Sequence, residues 1–146
     1  MNAFLKKASK DDCDLLFNWA NDVYSRENSF NSSQINYDEH VIWFDNKLNS
    51  NNSNIYIFYY NSFPVGQARI DIENNEGIIS YSIDNYYRGQ GLSKNMLCLL
   101  EKKVNNKVNK LIAFVKYDNI RSQRKFEQLD YTKLEYKSYI KYYKVI

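Results

Sequence analysis

The stretch Arg88-Gly89-Gln90-Gly91-Leu92-Ser93 decides the fold of this 146-residue chain, because it joins a predicted strand to a predicted helix. Its two glycines let the backbone approach a ligand closely and adopt conformations that a Cβ disfavours. The helix that begins at Ser93 directs its free N–H groups and the positive end of its dipole toward the same turn. The turn is therefore expected to bind an anion such as a pyrophosphate.

Two other phosphate-binding motifs are excluded at this turn. No Gly-Lys-Ser/Thr follows it, so it is not a P-loop, and the third glycine of the dinucleotide-binding fingerprint is missing. A Gly-x-Gly sequence alone occurs in many tight turns. The order of the flanking elements has to decide what the turn does.

The hydrophobic pattern around the turn alternates between strand-like and helix-like periods. Before it, three β-branched and aromatic segments are separated by turn residues at 61–64 and 74–75, which predicts a meander. Nearer the N-terminus, Asn36 with Glu39 resembles a capping box and predicts a helix start. The predicted strands are residues 4–8, 55–60, 65–72, 77–83, 111–117, 133–136 and 139–145, and the predicted helices are residues 11–26, 36–48, 93–104 and 119–129.

This order of elements, β-α-α-β-β-β-α-β-α-β-β, predicts an α/β (α+β) fold. We expect one mixed, mostly antiparallel sheet of about seven strands, flanked by about four helices. A length of 146 residues suits one domain, so residues 1–146 are expected to form a single domain. A chain of this size can bury a core without disulfides or a structural metal.

Charge and cysteine content exclude several classes of function. The net charge is only +3, and the densest run of lysines, residues 102–110, predicts a solvated helix face rather than a nucleic-acid interface. Cys13, Cys98 and His40 share no metal-ligand spacing, so no metal site is expected. No signal peptide and no apolar window of 18 residues is found, which predicts a cytoplasmic protein without a membrane partner.

The elements around the turn resemble the GNAT family of acetyl-coenzyme A-dependent N-acetyltransferases. The pyrophosphate loop of that family reads Arg/Gln-x-x-Gly-x-Gly/Ala, and its second motif reads Asn-x-x-Ala/Ser, then an aromatic residue, then Gly-Phe. The resemblance covers nearly the whole chain and implies a GNAT fold with acetyl-CoA as co-substrate. The matching residues are Arg88, Gly91 and Ser93 for the first motif, and Asn119, Ser122, Phe126 and Asp130-Tyr131 for the second.

The resemblance also implies where acetyl-CoA binds. The pantetheine would pair like an added strand with the edge near Tyr81 and Ile83, where two strands would splay apart. The N–H groups of the loop would hold the pyrophosphate, Lys94 would add a charge-assisted contact, and Asn119 would bond the pantetheine amide. The residues expected to bind the cofactor are Tyr81, Ile83, Arg88, Gly89, Gln90, Gly91, Ser93, Lys94, Asn119, Ser122 and Phe126.

Acetyl transfer needs a neutral amine, stabilisation of the carbonyl oxygen and a proton for the leaving thiolate. The family often takes that proton from a tyrosine on the last helix, and Phe126 stands at the matching position here. Tyr117 and Tyr131 are the candidate catalytic acids, with water as an alternative acid and packing as an alternative role for both tyrosines. Glu76 is the candidate base, with a solvated turn carboxylate as the alternative.

The first half of the chain is similar to the acetyltransferases of pseudaminic acid biosynthesis, which act on the 4-amino group of a nucleotide-linked 4-amino-4,6-dideoxy sugar. The similarity is dispersed, over residues 18–22, 26, 28–30, 39–40, 43–44, 47–48, 66–69 and 79–84. It implies a small-molecule amine acceptor, a nucleotide sugar, surrounded by Arg26, Ser29, His40, Trp43 and Tyr81.

Other roles and acceptors stay open at this point. Trp43 suits a core position, His40 a hydrogen bond at a helix end, and Arg26 the negative end of the first helix. A protein N-terminus, a polyamine or an antibiotic are alternative acceptors, and Phe126 keeps open a non-catalytic acyl-CoA-binding module. A basic pocket would favour the nucleotide sugar and an acidic pocket a polyamine. The oligomeric state is also open, with a homodimer among the alternatives.

Overall fold

The computed structural model describes residues 2–146 and has a seven-stranded sheet at its centre. The strand order is β1-β2-β3-β4-β5-β7-β6, and β4 with β5 is the one parallel pair among the described strands. The predicted α/β class and the mixed, mostly antiparallel sheet are confirmed. The strands are β1 Ala3–Lys7, β2 Ser53–Tyr60, β3 Phe63–Glu73, β4 Glu76–Ile83, β5 Lys110–Val115, β6 Thr132–Glu135 and β7 Ile140–Val145.

Helices cover both faces of the sheet. Within residues 2–146 these are α1 Cys13–Ala20, α2 Val23–Glu27, α3 Tyr37–Leu48, α4 Leu92–Val104 and α5 Ile120–Gln128. None of these helices is both long and apolar enough to cross a bilayer.

Two apolar clusters, one on each face, hold these layers together. In β2, Ile55 and Ile57 pack with α1 and α3, whereas Tyr56 and Phe58 pack with α4 and α5. Successive side chains of a strand point to opposite faces, so a central strand covered on both sides is apolar throughout. This explains why residues 55–60 lack the polar alternation of a half-exposed strand.

The first predicted helix, residues 11–26, is wrong in one respect, because the chain breaks it into α1 and α2 at Asn21 and Asp22. The Asp22 carboxylate accepts a hydrogen bond from the backbone N–H of Ser25 and caps α2. The Asn21 amide forms two hydrogen bonds with the backbone of Ile35, at 2.9 and 2.7 Å. Short polar side chains compete in this way with helix continuation, and here they anchor the loop that leads to α3.

The two hairpins of the predicted meander close through asparagine-rich turns. Asn61 and Ser62 join β2 to β3, and Asn74 and Asn75 join β3 to β4, all with positive φ between 49° and 74°. Two consecutive positive φ angles define the turn that best matches the twist of a hairpin, and asparagine tolerates them better than most residues. The turns fix the register of the three strands that form one wall of the cavity described below.

The parallel pair of β4 and β5 is unusually short. Its register covers only residues 76–78 of β4 and 110–112 of β5. Beyond Ile78 and Ile112 the two strands diverge, although each continues for several residues and keeps its other neighbour. The edge of β4 from Ile79 to Ile83 therefore faces an opening in the middle of the sheet.

Gly77 lies where β4 and β5 are still paired, and a larger residue there should destabilise the fold. A Cβ at Gly77 would lie 2.4 Å from Ile70 Cδ1 and 3.3 Å from Val108 Cγ1. Gly77→Ala is therefore expected to lower the free energy of unfolding by roughly 1–3 kcal/mol, as overpacking does. Urea denaturation measures the change, with Asn106→Ala in an exposed turn as the control. Equal stability of the two variants would contradict the packing described here.

Candidate functional site

A cavity of about 970 Å³ opens where β4 and β5 diverge. Trp43 and Arg69 line it from the face covered by α3, and Ser122 and Phe126 line it from the face covered by α5. The cavity therefore passes through the sheet, and two ligands entering from opposite faces would meet at the opening.

The loop before α4 has the geometry of an anion site. Gly89 and Gly91 adopt left-handed φ angles of 79° and 76°, and a Cβ at either position would meet no heavy atom within 4 Å. Helix α4 begins at Leu92 without a side-chain hydrogen bond to its first turn. Because Gly89, Gly91, Leu92 and Ser93 line the cavity, the free N–H groups of this turn and the positive helix end lie at its wall.

The side chain of Arg88 is held by the α1–α2 segment rather than left free for a ligand. Its guanidinium donates to the Asp22 carboxylate at 2.6 Å and lies 4.5 Å above the Tyr24 ring. Arg121, at the start of α5, lies 5.5 Å from the same ring. Burial opposes ionisation of Asp22, but the hydrogen bonds from Arg88 and Ser25 outweigh it and hold the pKa of this carboxyl below its usual value. Helix α2 thus contacts both sides of the opening.

Two hydroxyl groups meet across the opening. Tyr81, on β4, has its hydroxyl oxygen 2.5 Å from the Ser122 hydroxyl oxygen on α5. Asn119 accepts a hydrogen bond from the backbone N–H of Ser122 and caps α5. Burial raises the pKa of Tyr81 to about 12, although the hydrogen bond with Ser122 acts in the opposite direction. The Tyr81 hydroxyl is therefore protonated at neutral pH.

The Arg26 side chain is bound by protein groups in the structure. Its guanidinium binds the loop between α2 and α3, donating hydrogen bonds to the carbonyl groups of Ala20, Asn31 and Ser33 and to the Ser29 hydroxyl, at 2.6 to 3.2 Å. Arg26 and Ser29 line the cavity as expected. Their polar groups are already engaged in shaping the loop.

His40 and Trp43 lie on the same side of α3 but differ in exposure. His40 is buried, with Nε2 3.0 Å from the carbonyl oxygen of Cys13 and its ring stacked on Phe44. Trp43 is 37% exposed and carries the Arg69 guanidinium 5.2 Å from its ring centre. Trp43 is thus open to a ligand, whereas His40 joins α3 to α1.

Arg69 was missed by the sequence reasoning. It donates to Asp71 at 2.9 Å and to the Ser80 hydroxyl at 3.2 Å. Asp71 also accepts hydrogen bonds from Lys47 and Ser53. Burial raises the pKa of Asp71, but the hydrogen bonds and the positive charges of Lys47 and Arg69 outweigh it, so the net pKa lies below the usual value. The network fixes Arg69 at the cavity wall.

Three aromatic side chains pack together beside the cavity. We call them the aromatic wall and define it as Phe30, Phe114 and Tyr139. The rings of Phe30 and Phe114 both pack edge-on against Tyr139, with centroid distances of 6.3 and 5.5 Å. Phe30 and Phe114 are 58% and 41% exposed and line the cavity. The sequence pattern could have identified Phe114 as a cavity residue, because in a strand it points to the face opposite that of Leu111, Ala113 and Val115.

Comparison with known proteins identifies the family. Residues 3–132 match the sequence family described as the acetyltransferase (GNAT) domain. The chain belongs to the GNAT acetyltransferases. It is an acetyl-CoA-dependent N-acetyltransferase, as the sequence predicted.

Solved structures share this GNAT fold at low sequence identity. A domain from Methanocaldococcus jannaschii DSM 2661 superposes with a TM-score of 0.86 at 19% identity, covering 99% of both chains. The ribosomal L7/L12 alpha-N-protein acetyltransferase RimL with coenzyme A gives 0.87 at 15%, covering 100% of this chain and 95% of the other. The aminoglycoside acetyltransferase AAC(6')-Ib with coenzyme A and kanamycin gives 0.86 at 16%, covering 99% and 95%. No curated protein sequence matches the chain.

The three residues that the sequence offered for acid and base chemistry in this GNAT enzyme lie away from the cavity. Glu76 is the first residue of β4, at the end of the strand that is distant from the loop of Gly89 and Gly91. Its Oε2 lies 3.6 Å from Lys110 Nζ. The Tyr131 hydroxyl donates to Glu101 at 3.0 Å, and the Tyr117 hydroxyl donates to a backbone carbonyl of the β6–β7 connection. None of the three is among the lining residues in the described part of the chain. Their placement favours the structural alternatives.

Most of the other residues expected at the GNAT cofactor site do line the cavity. Gln90 and Lys94 are exceptions, since both are exposed and outside the lining. Basic residues of α5 line the cavity instead. Their i, i+3, i+4 spacing after the cap residue Asn119 would have placed them on one face of the predicted helix. The expected cofactor residues that line it are Tyr81, Ile83, Arg88, Gly89, Gly91, Ser93, Asn119, Ser122 and Phe126, and the additional basic residues are Arg121, Arg124 and Lys125.

Removal of the Asp71 charge should make the stability of the protein less dependent on pH. The pKa of Asp71 is lower in the folded than in the unfolded state, so its stabilisation is complete above the unfolded pKa of about 4 and is lost as the pH falls through the folded pKa. Asp71→Asn is expected to cost about 2 kcal/mol at pH 7, with a cost that shrinks below about pH 4. Urea unfolding at several pH values, with Glu73→Gln as the control, measures this. A cost independent of pH would contradict it.

Proposed function

We propose that this enzyme transfers the acetyl group of acetyl-CoA directly to the primary amine of a nucleotide-linked amino sugar, with the 4-amino group of a UDP-linked amino-deoxy sugar as the preferred acceptor. The observation that carries the proposal is the composition of the cavity lining. Glu39 is the one carboxylate among the described lining residues, against the cations Arg26, Arg69, Arg88, Arg121, Arg124 and Lys125, of which Arg69 and Arg88 are paired with Asp71 and Asp22 behind the lining.

Acetyl-CoA would enter from the face covered by α4 and α5. Its pyrophosphate suits the loop at Gly89 and Gly91, where the uncapped end of α4 offers free N–H groups. Arg121 in the first turn of α5 and Arg124 in its middle suit its phosphate groups. The pantetheine would lie along the unpaired edge of β4, as an added strand does. The side-chain amide nitrogen of Asn119 is available to it, because the capping bond uses only the oxygen.

The acceptor would enter from the face covered by α3. There, Arg69 and Trp43 lie on one side and the aromatic wall on the other. A guanidinium recognises phosphate oxygens, and exposed aromatic rings stack on planar bases and on sugar faces. A nucleoside diphosphate sugar offers all of these groups.

Polycationic acceptors fit this lining poorly. A polyamine or an aminoglycoside carries several positive charges and needs several carboxylates close by. Glu39 alone supplies one, on an exposed turn of α3. The described lining therefore favours an anionic acceptor over these alternatives.

Direct transfer is supported by the position of the thiol groups. Neither Cys13 nor Cys98 lines the cavity in the described part of the chain, so no cysteine is placed to form an acetyl-enzyme. The acceptor amine would attack the thioester carbonyl itself, and holding both substrates in one cavity supplies much of the rate increase.

Thiol release from acetyl-CoA tests the acceptor class. The purified protein is incubated with a UDP-linked 4-amino sugar, the same sugar without the nucleotide, spermidine, kanamycin and a peptide with a free N-terminus. We expect kcat/KM to be highest for the nucleotide sugar, by at least about tenfold, since each additional charge-assisted bond contributes more than 1 kcal/mol. Faster release with spermidine or the peptide would refute the proposed acceptor. Binding of coenzyme A without release for any amine would favour the non-catalytic module.

A matched pair of phenylalanine variants tests the aromatic wall. Phe114→Ala is expected to raise KM for the nucleotide sugar about tenfold with little change in kcat, because stacking on a base contributes roughly 1–3 kcal/mol. Phe63→Ala removes a similarly exposed ring at the distant β2–β3 hairpin and should leave KM unchanged. If both variants have the wild-type KM, the wall does not bind the acceptor.

A charge at Gly91 tests the loop. Gly91→Asp is expected to abolish measurable binding of coenzyme A, because a carboxylate about 4 Å from a phosphate costs roughly 1–4 kcal/mol in addition to the steric effect. Gly91→Asn has nearly the same size and tolerance of a positive φ, so the charge accounts for the difference between the two variants. Titration calorimetry at low and high salt measures it. Wild-type affinity in Gly91→Asp would refute the loop as the phosphate site.

A further inference from the structure

Phe126 stands where the motif resemblance would place a catalytic acid, and it has no hydroxyl group. It is a buried residue of α5 whose ring packs against Tyr81 with centroids 5.9 Å apart. The nearby hydroxyl groups of Tyr131 and Tyr142 are bound to Glu101 and Glu127. A tyrosine hydroxyl that reaches the leaving thiolate would therefore come from an element other than α5 or β7.

Tyr81 brings a hydroxyl to this place from the opposite side of the opening. Its ring extends from β4 toward α5, and its oxygen lies 2.5 Å from Ser122, one helical turn before Phe126. Tyr81 and Ser122 line the cavity where β4 and β5 diverge. The pair therefore lies across the path proposed for the pantetheine. Within residues 2–146, neither of the two hydroxyl groups is hydrogen-bonded to a carboxylate.

We propose that Tyr81 is the general acid of this enzyme and that its hydroxyl donates the proton that coenzyme A needs as a leaving group. This inference rests on the acetyltransferase activity and is independent of which amine is the acceptor.

The amine nitrogen forms a bond with the acetyl carbon, the carbon–sulfur bond breaks, and the sulfur takes the proton of the Tyr81 hydroxyl. The phenolate that remains is a strong base and takes up the proton that the acylated nitrogen loses, through the Ser122 hydroxyl or a water molecule. Overall one proton moves from nitrogen to sulfur, and Tyr81 ends as it began.

The environment of Tyr81 acts on its acidity in two directions. Burial raises the pKa of Tyr81 to about 12, so the hydroxyl is protonated before the reaction but gives up its proton less readily than a free tyrosine, whereas the hydrogen bond with Ser122 lowers the pKa. The same burial makes its phenolate short-lived, so that proton return follows donation at once. The Ser122 hydroxyl can donate or accept, and it therefore stabilises both forms of Tyr81.

The thiol pKa of bound coenzyme A tests the inference without any acceptor. Tyr81→Phe keeps the ring and its packing but removes the donor. A hydrogen bond to a thiolate lowers the thiol pKa, so the variant should raise it by about one unit, a tenfold loss of thiolate at a given pH. Ultraviolet absorbance of the bound thiolate over a pH series measures this. Tyr60→Phe, on β2 and packed against the same core, is the matched control and should leave the value unchanged.

Turnover and a second variant separate catalysis from structure. Tyr81→Phe should lower kcat about 100-fold, as loss of a general acid does, with the KM of the acceptor unchanged. Ser122→Ala breaks the same hydrogen bond but leaves the Tyr81 hydroxyl and the water route for proton return, so it should lose far less activity. Equal losses in the two variants, or a wild-type thiol pKa in Tyr81→Phe, would overturn the inference. An acceptor other than a nucleotide sugar would refute only the proposed function.

Discussion

The early divergence of β4 and β5 is the constraint on which the rest of the site depends. The strands pair only over residues 76–78 and 110–112, and then each follows its antiparallel neighbour. An unpaired strand edge inside a sheet leaves backbone N–H and C=O groups without partners, which is costly unless a ligand or water binds them. The sheet remains stable because the apolar layers of α4 and α5 on one face, and of α1 and α3 on the other, hold both strands. The opening is thus maintained by packing and is ready for an extended ligand.

The two halves of the cavity are linked through α2. Tyr24 lies between Arg88 of the loop and Arg121 of α5, and Asp22 binds Arg88 directly. Two residues after Tyr24, Arg26 holds the loop that lines the acceptor side. The five residues of α2 thus lie between the loop before α4 and the loop before α3, and contact both. The break after α1 that creates this helix is therefore part of the site.

The sequence predicted the elements well because their signals are local. Periodicity located the strands, and the N-cap of Asn36 lies where the capping signal indicated. The site was predicted less well, because its contacts join residues far apart in the chain. Tyr131 and Tyr117 were reasonable acids by proximity in sequence, but their orientation toward Glu101 and a hairpin carbonyl depends on how α4 and β7 pack against them. Glu76 lies away from the cavity for a simpler reason, since it begins β4 and the opening borders the other end of that strand.

The packing around Phe126 explains why the proposed proton donor is Tyr81 on β4 and not a residue at position 126 on α5. Its ring contacts Tyr81, Tyr131 and Tyr142 and is almost fully buried. A hydroxyl added there would need a partner inside this aromatic cluster, and a buried hydroxyl without one costs at least 1 kcal/mol. On β4 the hydroxyl of Tyr81 has Ser122 as its partner and still borders the opening. The apolar core and the proton donor can therefore coexist when the donor is on β4, which pairs with β3 along its whole length.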